Sequence, residues 1–490
     1  MKKNFKISAF VLAVSMLAAV VSGCSQKAAK NEEPTLVWYM RKPISNMSSY
    51  DVVMEEANKI ISKEIGAKLE FKFIESGMYD QKMNAMCSSG EAFDMCNLSG
   101  RSLLNFIDDG VFMPLDDLLS EYGSDITSQQ SDLVKEGCKY KDKTYVVAGE
   151  GAMSVSRSFV FKKDLVDKYG IDYKNMNDLK SLEPYLEALK QNEPDVIPMI
   201  DAVVDKVSEN YCVSDVQGVV FDENKEEFMM SYDHPEVLEE AKTKYDYYKK
   251  GYIEKDAISK TDALSEKKSG RYAVMNNEGY YSEDGSKSTA QHGFPCVESY
   301  TGNTMIRQSG PSGTCINAKS KNPEKCMQLL NLIWKDEYLL NTLAYGVEGV
   351  NYTVNEERSQ EIGAKSINVK SGAEQTWAVW HNWLGPLFNQ WDSSWNTVEI
   401  LNTIKENNKT AKISKSSGFV FDTNPVKAEV AKVTATYQSV YRIFQIGCME
   451  DFDTYLEDTR SEMKTSGVEK VIAEMNKQYK EWKNNESSNK

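Results

Sequence analysis

The apolar patterning between Leu36 and Ile74 constrains the fold more than any other feature of the chain. Leu36-Val37-Trp38-Tyr39-Met40 is a compact apolar run stopped by Arg41-Lys42-Pro43, and it reads as a buried strand. From Tyr50 to Ile65, Val53, Ala57, Ile60, Ile61 and Ile65 recur at helical spacing, opposite Glu55, Glu56, Lys59 and Lys63, and Gly66 closes the helix. Lys68 to Ile74 then alternates apolar and polar residues as a half-buried strand does. Strand, helix, strand is the βαβ unit of a parallel sheet, so the fold class expected is α/β.

The same grammar continues. Phe93 to Leu98 reads as another strand, and Lys143 to Val147 as a strand leading to Gly149-Glu150-Gly151, where paired glycines suit a crossover with unusual backbone torsions. A dinucleotide loop is excluded there because Ser154 stands where a third glycine is needed. A second βα segment opens at Ser158 to Phe161, and a helix with Leu179, Leu182, Leu186 and Leu189 follows. Asn322-Pro323-Glu324 is a helix start: the Asn caps, the Pro fits the first turn and the Glu complements the positive helix end.

Lys2, Lys3 and Lys6 precede an apolar stretch from Ile7 to Val21 and then Val21-Ser22-Gly23-Cys24, which reads as a bacterial export signal ending in a lipobox. The stretch is shorter than the roughly 20 residues of a membrane span. Residues 1–23 are the expected signal peptide, Cys24 the lipidated first residue of the mature chain, and 24–34 a polar tether. With 490 residues, two or three structural units are expected. A net charge of -15 argues against nucleic acid as a partner. The nine Cys are scattered, no C-x-x-C occurs, and His234, His292 and His381 lie far apart, so no metal and no cofactor are expected. The thiols are either buried and free or paired, with Cys87–Cys96 and Cys296–Cys315 as the candidates.

Phe161-Lys162-Lys163-Asp164-Leu165, Tyr169-Gly170-Ile171, Lys250-Gly251-Tyr252-Ile253 and Gly270-Arg271-Tyr272-Ala273-Val274-Met275 resemble the family 1 extracellular solute-binding proteins of ABC importers. Tyr345-Gly346-Val347-Glu348-Gly349-Val350-Asn351-Tyr352, after the Asn-Pro-Glu helix, extends that resemblance. Gly418 to Asp422, Pro425-Val426-Lys427 and the helix from Val468 to Trp482 are similar to the C-terminal domain of unknown function on LipO-like lipoproteins. The resemblance implies a two-lobed, type II periplasmic-binding-protein fold (a Venus flytrap) with a mostly helical C-terminal extension. Lobe 1 is expected at 35–147 and 299–336, lobe 2 at 148–298 and 337–416, and the extension at 417–490. Crossings between lobes are expected near Ala148 to Gly151, Gly293 to Val297 and Asp336. It further implies a monomer, anchored by Cys24 outside the cell membrane, that passes a small polar solute to permease subunits.

Trp377, Trp380, Trp383, Trp391 and Trp395 crowd into one stretch of a chain with eight Trp. An indole matches both the C–H face and the polar rim of a sugar, although such residues also fill cores. A carbohydrate is therefore the expected ligand, with Trp377, Trp380, His381 and Trp383 as contacts. Trp38, Tyr39 and Arg41, and Asp94 and Asn97, are placed at strand ends, where open parallel sheets bind ligands. Glu150 sits in the first crossing. Asn276, Asn277, Glu278 and Tyr280 match the family's ligand-contacting loop, and Glu348 and Tyr352 the glycine-bracketed turn. Two rival functions stand beside import: a glycan-sensing or adhesive lipoprotein, and a glycoside hydrolase using two of Asp94, Glu150, Glu278 and Glu348.

Overall fold

The computed structural model describes residues 33–488 apart from 261, 262, 278, 394 and 395. The export signal, Cys24 and all but the end of the tether lie outside the described residues.

The first sheet has the strand order Ser312–Ile316, Met95–Ser99, Thr35–Arg41, Lys68–Ile74. Thr35–Arg41 runs parallel to both neighbours, with Trp38 beside Phe71 and Met95, and Ser312–Ile316 joins antiparallel. Helix Tyr50–Ile65 makes the crossover and stops at Gly66, whose φ of 61° is left-handed and open to glycine. Asn58 ties this helix to the sheet edge, donating to the Leu69 carbonyl at 3.0 Å and accepting from the Leu69 N–H at 2.7 Å. Each face of the sheet is covered. Leu36, Trp38 and Met40 enter a core with helices Tyr50–Ile65, Pro323–Lys335 and Glu337–Tyr345. On the other face Cys96 and Leu98 join Tyr79, Met83 and Leu103.

The second sheet has the order Cys296–Asn303, Ser156–Lys162, Tyr272–Asn276, Ile197–Met199, and its core holds Phe159, Phe161, Leu182, Leu186, Tyr247 and Val274. A small antiparallel sheet, Tyr211–Val213, Val219–Asp222 and Glu227–Met230, packs its Phe221 and Phe228 against the last three helices, Lys427–Ile446, Phe452–Thr465 and Val468–Ser488. The C-terminal region is thus bolted to lobe 2 through its own apolar core.

Two boundaries differ from the sequence expectation. Cys296–Asn303 pairs along its length with Ser156–Lys162, so lobe 2 extends to Asn303 and the second crossing lies between Asn303 and Ser312 rather than at Gly293 to Val297. The chain also does not leave lobe 1 at Asp336. The Asp336 side chain caps a new helix by accepting from the Leu339 N–H, and Leu339, Leu340, Leu343, Trp377 and Trp391 all return to the core that contains Trp38. Burial of that apolar face keeps 337–391, assigned to lobe 2 from sequence, in lobe 1. The third passage therefore lies beyond Trp391 and leads into helix Val398–Thr410. Finally, Gly149 and Gly151 are not among the glycines with positive φ, so the first crossing does not depend on a left-handed backbone.

The eight described cysteines are all free thiols, seven of them buried. Neither Cys87–Cys96 nor Cys296–Cys315 is bridged. Instead Cys96 faces Cys315 across adjacent strands, and burial pushes the Cys96 thiol well up.

Candidate ligand cleft

In open parallel sheets, ligands bind outside the carboxyl ends of the strands. In lobe 1 that edge is overlaid by the segment from Lys370 to Leu384. The Ser49 N–H donates to the Thr376 carbonyl at 3.2 Å, and Asn351, almost fully buried, donates to both the Ser49 and Thr376 hydroxyls at 3.1 Å. Trp377 is the anchor of this segment. It is buried, donates from its indole nitrogen to the Leu343 carbonyl at 2.9 Å, and packs near Tyr50 and Phe73, just past the helix start and strand end. With Trp377 fixed, Trp380 emerges 46% exposed and Trp383 half-buried. The side chain of His381, and Trp395, lie outside the described residues. Trp391 is core, with the Lys365 ammonium 3.8 Å above its ring.

In lobe 2 the corresponding edge carries Asn276, Asn277 and the loop after them. Asn277 is a clamp between strands: its side chain donates to the Ser156 carbonyl at 2.9 Å and accepts from the Ser158 N–H. Asn276 donates to the Asn277 carbonyl, while its side-chain oxygen is buried without a partner. Tyr280 packs against Leu387, Leu401 and Ile404 and so joins lobe 2 to the third passage. Glu278 lies outside the described residues. Behind this loop sits Glu298, fully buried, which accepts from Ser158 Oγ at 2.5 Å, Ser288 Oγ at 2.7 Å and the Ser282 N–H at 3.2 Å. Burial pushes its carboxyl above the usual range, against the pull of those hydrogen bonds. A pocket of about 170 Å³ opens on this edge, lined by Arg157, Phe159, Ala202, Val204 and Asn276 among others.

The crossings are pinned. Glu150 accepts from the Ser131 N–H at 2.7 Å, its carbonyl accepts from the Leu387 N–H at 2.8 Å, and burial raises its carboxyl pKa. Asn408, on helix Val398–Thr410, accepts from the Met153 N–H at 2.9 Å and donates to the Gly151 carbonyl at 2.6 Å.

Several expected contacts prove to be internal. Trp38 is buried and donates to Asn97 Oδ1 at 3.1 Å, and Asn97 donates onward to Thr314 at 2.9 Å. Asp94 stands before strand Met95–Ser99, at its amino end, where it accepts from the Val37 N–H at 2.9 Å and from Ser320. That is the edge away from the carboxyl ends, which corrects its placement at a strand end with Asn97. Tyr39 is half-buried against Phe93, and Arg41 pairs with Asp80 above the Tyr79 ring. Tyr352 is buried beside Trp391, whereas Glu348 is exposed and 3.8 Å from Lys365. The structure therefore leaves Trp380 exposed and Trp383 half-buried, holds Glu150 in the first crossing and Asn276 and Tyr280 on the lobe 2 edge, and turns Trp38, Asp94, Asn97, Tyr352 and Trp377 to packing. Sequence reasoning missed Glu298 and Arg157. The one visible signal was a charge between small polar or apolar neighbours inside a strand, Ser156-Arg157-Ser158 and Val297-Glu298-Ser299.

Comparison with known proteins agrees with this geometry. Residues 44–338 match the model of the bacterial extracellular solute-binding protein family, and residues 415–484 match a domain of unknown function, DUF3502. A carbohydrate ABC transporter substrate-binding protein of Streptococcus pneumoniae serotype 4 is 28% identical over 504 residues, covering 99% of both chains. The crystal structure of the N-glycan transport solute binding protein NgtS from Streptococcus pneumoniae superposes with a TM-score of 0.77 at 26% identity, covering 93% of this chain and 100% of that one. The same protein in complex with Man5GlcNAc gives a TM-score of 0.62, covering 92% and 99%. Two sheet-based lobes, three crossings and a matching model over more than half the chain lead to one conclusion: this chain belongs to the bacterial extracellular solute-binding proteins.

Proposed function

We propose that the chain captures an oligosaccharide between its two lobes, outside the cytoplasm, and delivers it to the permease of an ABC importer. The observation that carries this reading is Trp380, a large indole left exposed on the ligand edge of lobe 1 by a segment that buries Trp377 three residues earlier. A sugar ring offers such an indole its C–H face, while Tyr280 and Asn276 stand on the opposing lobe. A hydrolase would need two carboxylates flanking one bond. Asp94 is spent on the Val37 N–H and Ser320, and Glu150 on the Ser131 N–H, which supports binding without cleavage.

A thermal-shift panel of oligosaccharides, headed by mannose–N-acetylglucosamine fragments, tests the reading. A ligand at about a hundred times its Kd stabilises the folded chain by about 2.7 kcal/mol. Replacing Trp380 by Ala should weaken the responding sugar about fivefold with little change in melting temperature, because stacking of this kind is worth about 1 kcal/mol and the side chain packs little. Unchanged affinity would remove the aromatic platform. Among the described residues no helix is long and apolar enough to cross a membrane. Attachment is assigned to lipid on Cys24 on the strength of the lipobox Val21-Ser22-Gly23-Cys24. Cys24→Ala should release the protein from the cell to the medium, and retention of that variant on the membrane would refute the anchor.

A further inference from the structure

A cavity of about 630 Å³ lies between lobe 2 and the C-terminal region, distinct from the facing sheet edges. Small-molecule sites are commonly of this size. Tyr211 and Glu240 line it from lobe 2, Tyr437, Tyr441 and Phe444 from helix Lys427–Ile446, and Arg157 from the start of its strand. Arg157 and Val204 also line the pocket of about 170 Å³ at the ligand edge, so the two spaces abut there. Thr304 and Met305, in the second crossing, complete the rim.

Several polar groups of this wall are bonded within the protein, Asp205, Ser214, Gln217 and Thr304 among them, but three are not. The Arg157 guanidinium, the Tyr211 hydroxyl and the Tyr441 hydroxyl make no hydrogen bond or ion pair with any described residue. Tyr441 is 44% exposed, whereas the neighbouring Phe444 is buried and stacked 4.1 Å from Tyr232. Lys244, by contrast, is spent on the carbonyls of Asp201 at 2.9 Å and Gln445 at 3.3 Å. An apolar ligand would strand Arg157 and two hydroxyls without partners, and an anion would meet Glu240. A pyranose satisfies all of them: its C–H face suits the tyrosine rings, and its hydroxyls both donate and accept.

We infer that this cavity is a second sugar subsite, built jointly by lobe 2 and the C-terminal region, for glycosyl units beyond those held in the cleft. It rests on the carbohydrate reading above. The sugar is either the far end of a glycan whose near end lies in the cleft, or a second short glycan.

Calorimetry of the full chain with Man1GlcNAc and Man5GlcNAc separates these cases. If one glycan spans both sites, Tyr441→Ala weakens Man5GlcNAc about tenfold and leaves Man1GlcNAc within about twofold, as loss of one stacking contact predicts. If two glycans bind, the unaltered chain takes two equivalents of Man1GlcNAc and the variant takes one. Tyr211→Phe, which keeps the ring and removes only the hydroxyl, shows the same pattern more weakly and covers the case in which Tyr441→Ala fails to fold. Affinities and stoichiometry that both variants leave unchanged overturn the subsite, and a loss confined to Trp380→Ala then still supports the cleft. Absence of heat from either glycan with the unaltered chain also overturns it, and the thermal-shift panel then judges the cleft reading alone.

Discussion

Glu298 illustrates how one side chain sets the shape of the lobe 2 edge. Its two oxygens take three hydrogen bonds from Ser158, Ser288 and the Ser282 backbone, so it fixes the loop that presents Tyr280. Burial is the largest influence on its carboxyl, raising the pKa against those hydrogen bonds and the weaker pull of the Lys287 charge. A raised carboxyl pKa means that the folded state holds the proton more tightly than the unfolded one. Between the unfolded value, near 4.5, and the raised folded value, stability therefore falls as pH rises. Glu298→Gln removes that slope. Melting temperatures of the two proteins should converge at acid pH, and the Gln variant should gain on the parent toward neutrality; parallel curves across pH 4 to 8 would refute the burial argument. Glu298→Leu should instead cost about 2–4 kcal/mol, because three buried donors lose their acceptor. The same residue-level logic separates the tryptophans. Trp377 and Trp380 are indistinguishable by composition and spacing, and only the hydrogen bond to Leu343 and the packing of Tyr50 and Phe73 make one core and the other surface.

Among the elements, helix Val398–Thr410 braces the first crossing. It is capped by Thr397, buries Leu401 and Ile404, and places Asn408 against the first crossing, where it holds the backbone of Gly151 and Met153. Asn408→Ala should cost about 1–3 kcal/mol and raise amide exchange at 151–154 selectively, since three backbone partners, the Met153 and Ser154 N–H groups and the Gly151 carbonyl, lose their bonds. Uniform exchange across both lobes would show that the clamp is not local. The elements themselves were largely legible in sequence. The opening βαβ unit, the Asn-Pro-Glu helix and the final helix all form where apolar periodicity puts them, although Asn322 occupies the cap position without the expected side-chain cap bond, leaving Pro323 and Glu324 as the start signal. The stretch from Trp377 to Trp391 was not legible, because it forms only the short turns His381–Leu384 and Leu387–Asn389 and carries no period to read.

For the whole molecule, stability comes from large separate cores in each lobe and in the C-terminal region, not from covalent staples. Reductant should therefore leave the melting temperature unchanged, and the eight described thiols should react with a disulfide reagent only after denaturation, Cys448 excepted. A reductant-sensitive melt would contradict the free-thiol arrangement. The sequence by itself determined the α/β class, because hydrophobic period acts within a few residues, whereas the two-lobe plan and the helical tail were legible only through motifs shared with a family. Only the tertiary structure decided where the chain changes lobes, which tryptophans reach solvent and which charges are buried. Those outcomes depend on contacts between residues hundreds of positions apart, such as Ser49 with Thr376 and Trp38 with Trp377 in one core, and no local pattern encodes them.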